Sequence, residues 1–188
     1  NGNRHQAVKE LEVACRLAPT SWEPNEMLGK LLAERAEEFG SPRRLLERSQ
    51  FHTVRALQLG PSVPSTGGLI HRLALTCLQT GRLEEAHKLL LRLRDIPDFT
   101  LKAKYFLGVV AFRMGKYKNA VLYLRQHLEQ TPENPHVLAK IGMAYLHLGE
   151  IVNAREACNR ALAMEPWHIG AKWTLGCAML EEGRTDDA

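Results

Sequence analysis

The sequence contains no run of 18 apolar residues, so it predicts no transmembrane helix. Its opening segment, NGNRHQAVKE, has neither the apolar core of a signal peptide nor an initiator Met. We therefore expect a fragment or a processed chain. Its 188 residues, 45% hydrophobic and 24% charged, suit a soluble protein of one or two domains with a sizeable core.

Cysteine is scarce, and neither sign of charge predominates. The formal net charge of +4 is too small and too dispersed to indicate nucleic-acid binding. The cysteines Cys15, Cys77, Cys158 and Cys177 form no Cys-x-x-Cys pair, which disfavours a disulfide framework or a zinc site. We expect free thiols in helices, in the cytoplasm or another reducing compartment such as the nucleus or cilium.

Motifs that carry catalysis are missing. The chain has no G-x-x-x-x-G-K-[ST], G-x-G-x-x-G, H-E-x-x-H or G-x-S-x-G sequence. The eight histidines are scattered, and no carboxylate stands at ligand spacing beside them on one helix face. We therefore predict no catalytic residue, no metal site and no cofactor, and a chain that is not itself an enzyme.

What the sequence does contain is a repeat with a period of 34 residues. Small residues recur in three columns at this step. The first column is Ala74, Gly108, Gly142 and Gly176. The second is Gly81, Gly115, Gly149 and Gly183, and the third is Ala86, Ala120, Ala154 and Ala188. Pro132 and Pro166 keep the same step.

This period and pattern resemble the tetratricopeptide repeat (TPR) family. The residues that carry the resemblance are Leu107-Gly108, Ile141-Gly142, Leu175-Gly176, Tyr145, Ala120, Ala154, Ala161, Pro132 and Pro166. The resemblance implies an all-α fold: a right-handed α-solenoid of antiparallel helix pairs, with about ten helices in this chain. It also implies that the first helix of each pair lines a concave groove.

The repeat frame divides a single array over residues 1–188 into units. We expect residues 1–21 to be the second helix of a truncated unit and 169–188 to contain the first helix of another. The regular units are 67–100, 101–134 and 135–168. The regular helices are expected at 68–80, 84–95, 102–114, 118–130, 136–148 and 152–164, and a last first helix at 170–182.

Residues 22–66 form an irregular unit with about eleven extra residues. Its first helix is expected within 22–39 and its second at 42–58, with Ser49 in the small-residue column. The extra length predicts one added turn on each of these helices. GPSVPSTGG, residues 60–68, predicts a Pro/Gly-rich loop.

Helix boundaries and contacts have their own signals. Ser41-Pro42 and Asn134-Pro135 predict an N-cap followed by proline. The second glycine column predicts the ends of first helices. In mid-helix, where glycine costs about 1 kcal/mol relative to alanine, Gly108 and Gly142 predict a close approach to the second helix.

The family frame also indicates a surface that faces a partner. It is an apolar floor with a basic margin, a composition typical of a binding surface. The partner-binding residues are predicted to be Arg72, Leu75, Lys102, Tyr105, Val109, Phe112, Arg113, Lys140, Met143, Leu146, His147 and Trp173. Ala139 and Thr174 are expected on the same face. Packing between successive first helices is an alternative role for Val109 and Leu146.

These residues favour a protein or peptide partner: an amphipathic helix or extended segment that is apolar with acidic flanks. We expect no small-molecule substrate and no membrane insertion, and nucleic acid is disfavoured. The leading hypothesis is a non-catalytic protein–protein interaction scaffold within a multiprotein complex. One alternative is the TPR region of a larger enzyme, such as a transferase, hydroxylase or ligase. Another is an architectural wall of a large assembly, such as a trafficking or ciliary complex.

Overall fold

The described residues, 2–40, 42–60 and 63–183 of the computed structural model, contain α-helices and one short 3₁₀ turn at Pro97–Phe99, and no strand. The helices are α1 (Gly2–Leu17), α2 (Glu23–Glu38), α3 (Arg43–Gln58), α4 (Val63–Gln79), α5 (Leu83–Arg94), α6 (Thr100–Arg113), α7 (Tyr117–Leu128), α8 (Pro135–His147), α9 (Ile151–Met164) and α10 (Ile169–Glu181). The predicted all-α fold of paired helices is confirmed. None of the described helices is long and apolar enough to cross a membrane.

The helices form two compact units, Asn1–Phe99 and Thr100–Ala188. In the first unit, α2 packs on α1 and α3, and α4 packs on α3 and α5. In the second unit, α6 packs on α7 and α8 on α9, while α10 packs on both α8 and α9. Each helix therefore buries its apolar stripe mainly against its neighbours in sequence, as expected of a repeat fold.

The core of the second unit follows the repeat. One buried cluster joins α6 to α9 and consists of Ala111, Ala120, Val121, Leu124, Val137, Ile141, Ala144 and Ala157. A second cluster joins α8, α9 and α10 and consists of Leu138, Ala139, Cys158, Ala161 and Ala171. Many of these side chains are small, so the helix axes lie close together.

The mid-helix glycines stand where helices approach closely. A Cβ added at Gly108 would lie 2.5 Å from Cγ of Leu124 and 3.4 Å from the carbonyl oxygen of Ala120. At Gly142 it would overlap Sγ of Cys158 and lie 3.1 Å from the carbonyl oxygen of Ala154. The predicted close approach is confirmed, with one refinement. Ala120 and Ala154 contribute only their backbone carbonyls to these contacts. The side chains one turn later, of Leu124 and Cys158, pack directly against the two glycines.

The first helices of the second unit end at glycines in the left-handed conformation. Gly115 has φ 73°; its N–H donates to the Phe112 carbonyl at 3.0 Å, and the next N–H, of Lys116, donates to the Ala111 carbonyl at 2.9 Å. Gly149 repeats this Schellman geometry. A Cβ would strain the backbone at this φ, so the glycine column marks helix ends as predicted.

The structure corrects the predicted loop at residues 60–68. Helix α4 begins at Val63 rather than at residue 68. Pro64 is compatible with this start because the first N–H groups of a helix have no intrahelical acceptor. Gly67 is helical and buried against Phe99, where a Cβ would lie 2.5 Å from the ring. Pro61 and Ser62 lie outside the described residues.

The two helices of the irregular unit are longer than those of the second compact unit. Helices α2 and α3 have 16 residues each, whereas α5 to α10 have 12 to 14; α4, with its early start at Val63, has 17. Ser49 is fully buried, and its hydroxyl donates to the carbonyl of Gly29 at 2.7 Å. The N-cap predicted at Ser41 lies outside the described residues, as does Ala188 of the alanine column.

Candidate functional site

Ten of the twelve predicted partner-binding residues lie in the second unit, on α6, α8 and α10. Arg72 and Leu75 lie on α4 of the first unit, where both are half-buried. That Arg72 and Leu75 belong to the same surface as the other ten residues stays a prediction. The candidate site described below therefore consists of residues of the second unit.

A cavity of about 230 Å³ opens between α6, α7 and α8. Its lining consists of Gly108, Val109, Phe112, Arg113, Leu124, Lys140 and Met143. Five of these seven residues belong to the predicted set. Gly108 was predicted only as a packing residue, and Leu124 was not predicted. They take part here because Gly108 has no side chain, which lets the fully buried Leu124 side chain pack directly against the backbone of α6 at the cavity floor.

The cavity has an apolar interior and a cationic rim. Val109 and Phe112 stand one turn apart on α6, and Met143 lies on α8; all three are half-buried. Arg113 on α6 and Lys140 on α8 are exposed. Their charged groups reach water while their aliphatic stems add to the apolar walls.

Repeat columns do not predict which side chains stay open. Thr174 stands 34 residues after Lys140, yet it is fully buried, and its hydroxyl donates to the Gly170 carbonyl at 2.8 Å. Ala139 is 3% exposed and belongs to the core cluster of α8, α9 and α10. The prediction that Thr174 and Ala139 face a partner is therefore wrong. Both are short enough to be covered by neighbouring helices, whereas the lysine chain extends to solvent.

Three aromatic rings pack together near the ends of α6 and α8. Phe112 meets Tyr117 edge-on at a centroid distance of 5.3 Å and meets His147 at 5.5 Å. Tyr117 and His147 stack face to face at 4.5 Å. Phe112 and His147 were predicted site residues, but Tyr117 was missed because it lies on a second helix. This packing holds the Phe112 ring in place at the cavity wall.

Tyr105 packs against neighbouring rings more extensively than its predicted partner-facing position suggests. Its ring lies 5.5 Å from that of His127 and 5.1 Å from that of Phe106, and burial raises the pKa of its phenol. His127 is buried, and its Nδ1 donates to the Leu101 carbonyl at 3.0 Å. These contacts hold the Tyr105 ring in place, and its exposed part can still contact a partner.

The remaining predicted residues differ in exposure. Trp173 on α10 is 67% exposed, an unusual amount for tryptophan. Leu146 is half-buried, and Lys102 is exposed on the first turn of α6. In the first unit, Arg72 donates from Nη1 to the Glu26 carbonyl at 3.2 Å, so it links α4 to α2.

The thiols show no feature of a catalytic nucleophile. All four cysteines are free, as predicted. Burial raises the pKa of the Cys77 and Cys158 thiols to about 11, so both stay protonated at neutral pH. The side chains able to hold a metal ion come together elsewhere among the described residues, at His136, Glu165 and His168. This cluster differs from the expectation, drawn from the scattered histidines, of no metal site.

Comparison with known proteins agrees with this architecture. Residues 105–166 match the family model described as tetratricopeptide repeat. YrrB, whose structure is described as a TPR protein with an unusual peptide-binding site, is 18% identical, with a TM-score of 0.70 over 94% of this chain and 85% of that one. MamA from Desulfovibrio magneticus is 16% identical, with a TM-score of 0.73 over 87% and 88%.

The C-terminal part of a TPR repeat-containing protein from Cytophaga hutchinsonii is 15% identical, with a TM-score of 0.76 over 98% of this chain and 70% of that one. At identities of 15–18%, these comparisons show a similar fold and nothing about function. Curated protein sequences contain no significant match.

Proposed function

We propose that this chain, whose residues 105–166 match the tetratricopeptide repeat model, is a non-catalytic scaffold that binds a segment of a partner protein. The binding surface is the face of α6, α8 and α10 that carries the predicted residues of the second unit. The bound segment would join the chain to a larger complex.

The observation that carries the proposal is the cavity between α6, α7 and α8. It combines an apolar interior with cations on two different helices, Arg113 and Lys140. Val109 and Met143 provide adaptable aliphatic walls, and Phe112 provides a wall whose ring is held by Tyr117 and His147. Rigid aromatic and arginine side chains around a pocket are the usual composition of an interaction hot spot.

The size of the cavity indicates the anchor that it would accept. A buried cavity of about 150 Å³ admits benzene. The 230 Å³ available here therefore suits one large apolar side chain, such as Leu, Met or Phe. Carboxylates on either side of that anchor would meet Arg113 and Lys140. These exposed pairs would set orientation and association rate more than affinity, since exposed ion pairs contribute little.

An exposed aromatic side chain on the next first helix supports a longer contact. Trp173 stands on α10, which packs on α8. A segment anchored at Phe112 and Met143 could cover Trp173 as it passes along the first helices. The peptide-binding site named for YrrB is a property of that protein. It shows that a similar fold can present such a site.

Binding of selected peptides tests the proposal. Random peptides displayed on phage are selected on the 188-residue chain, and their affinities are measured by fluorescence anisotropy. The double variant Phe112→Ala/Trp173→Ala should weaken binding by at least about 1.4 kcal/mol, or tenfold. Arg113→Glu/Lys140→Glu should slow association and reverse the preference for acidic peptides.

Leu122→Ala is the matched control. Leu122 is 54% exposed on α7 and does not line the cavity. Its removal should leave the affinity unchanged. Circular dichroism confirms that each variant is folded. Unchanged affinity in both double variants, or peptides that respond only to Leu122→Ala, would exclude this surface as the binding site.

A further inference from the structure

A second cluster of functional side chains lies at the beginning of α8 and α10. Nδ1 of His136 lies 2.9 Å from Nε2 of His168, and Nε2 of His136 lies 3.9 Å from Oε2 of Glu165. One ligand atom from each of these three residues can be chosen so that all lie within 4.8 Å of one another. We propose that His136, Glu165 and His168 bind a divalent transition-metal ion, with Zn²⁺ the best match.

The repeat itself brings these residues together. His168 is the N-cap residue of α10, and it stands 34 residues after Asn134, the N-cap residue of α8. His136 lies on the first turn of α8, which packs on α10. Glu165 precedes His168 by three residues in the turn after α9. The sequence conceals the cluster because its ligands come from successive repeats rather than from one helix face.

The donor set fits the proposed class of ion. Two imidazole nitrogens and one carboxylate oxygen, with water in a fourth position, form a familiar zinc coordination set, and imidazole also binds Ni²⁺, Co²⁺ and Cu²⁺. Two nitrogens bound tetrahedrally to zinc at about 2.0–2.1 Å are about 3.3 Å apart. The two rings therefore need to separate by about 0.4 Å from their present 2.9 Å.

The surroundings permit this adjustment. The His136 side chain is 69% exposed and that of Glu165 is 45% exposed, so an ion can enter and both side chains can turn. The backbone of both helix starts is held in place, because Asn134 accepts the N–H of Val137 at 3.2 Å and His168 accepts the N–H of Ala171 at 3.2 Å. The positive ends of the α8 and α10 dipoles disfavour a cation at this place, and the negative carboxylate of Glu165 offsets that effect.

Binding must move one proton. Without metal, the Ala171 N–H donates to Nδ1 of His168, so the proton of neutral His168 sits on Nε2 and points at Nδ1 of His136. An ion bound between these two nitrogens takes the place of that proton. His168 then carries its proton on Nδ1 and gives up its hydrogen bond to Ala171. The ion and the cap of α10 therefore compete for His168.

This competition provides a matched set of variants. His136→Gln and Glu165→Gln remove one ligand each and leave the cap intact. His168→Asn removes a ligand but keeps a cap, because Asn134 already caps α8 in this way. His5→Gln removes an exposed histidine from the first unit and serves as the control.

Calorimetric titration of the 188-residue chain with ZnCl₂, with a phosphine reductant present, tests the site. We expect one equivalent of Zn²⁺ to bind. Since loss of an outer-shell partner alone costs about 10–100-fold, each ligand variant should lose at least about tenfold in affinity. His5→Gln should bind as the unmodified chain does. Metal-free melting of His168→Asn should match that of the unmodified chain, which separates ligand loss from unfolding.

Two spectra identify the ligands. Co²⁺ in place of Zn²⁺ should give visible absorption bands without a thiolate charge-transfer band, which excludes the cysteines. Histidine ¹⁵N spectra should show the His168 proton on Nε2 without metal and on Nδ1 with it. The proposal is overturned if the His136→Gln/Glu165→Gln/His168→Asn chain binds Zn²⁺ as tightly as the unmodified chain, or if a thiolate band appears.

Discussion

At the scale of single residues, the glycine columns have two different physical roles. Gly108 and Gly142 sit under side chains of the facing helix, where a Cβ has no room. Gly176 belongs to the same column, but among the described residues no atom packed against α10 lies within 4 Å of the position that its Cβ would occupy. One repeat position therefore carries a steric constraint in two copies and only a propensity cost in the third.

This difference predicts opposite effects of the same substitution. Gly142→Ala should lower the free energy of unfolding by about 1–3 kcal/mol, because Cys158 and the Ala154 carbonyl would have to shift. Gly176→Ala should raise it by up to about 1 kcal/mol through helix propensity alone. Urea unfolding followed by circular dichroism measures both. Equal effects of the two substitutions would contradict the steric explanation.

At the scale of helices, start and stop signals are local, and most could be predicted. The first helices α6 and α8 end within a residue or two of the predicted positions because a glycine at positive φ closes each one. The start of α4 could not be predicted in this way. Its sequence combines proline and glycine, which favour a loop. The helix is nevertheless compatible with close packing, because Gly67 lets the backbone of α4 approach the Phe99 ring.

The helix ends predict a graded response at one position. Gly149→Ala should lower the free energy of unfolding by about 1–2 kcal/mol, the cost of the left-handed conformation for a residue with a Cβ. Gly149→Asn should cost less, because asparagine tolerates this conformation better. Thermal melting compares the two with the unmodified chain. Gly68→Ala, in the first turns of α4, should cause no loss, because a Cβ there would contact no packed neighbour among the described residues.

At the scale of the whole molecule, each compact unit has its own buried clusters. Leu124 and Ile141 are buried in a core cluster of the second unit, and the two clusters described for that unit draw only on residues 100–188. In the first unit, Val8, Leu28 and Leu32 form a separate cluster.

This separation predicts that residues 100–188 fold by themselves. Because the two described core clusters of this unit lie wholly within it, the fragment should be helical and should unfold cooperatively. Circular dichroism and urea unfolding of the fragment check this expectation. A fragment that is unfolded under conditions where the 188-residue chain is folded would show that the second unit needs the first.

The sequence by itself determined the repeat, the all-α class and the helix ends, because glycine at helix termini and small residues at helix contacts act through nearest neighbours. It also identified five of the seven residues that line the cavity. Only the tertiary structure decided that Gly108 and Leu124 shape its floor, that Thr174 is covered, and that His136 meets His168. These outcomes depend on side-chain length and on which residues of successive repeats face one another. A 34-residue period specifies the helices but not the contacts between their variable positions.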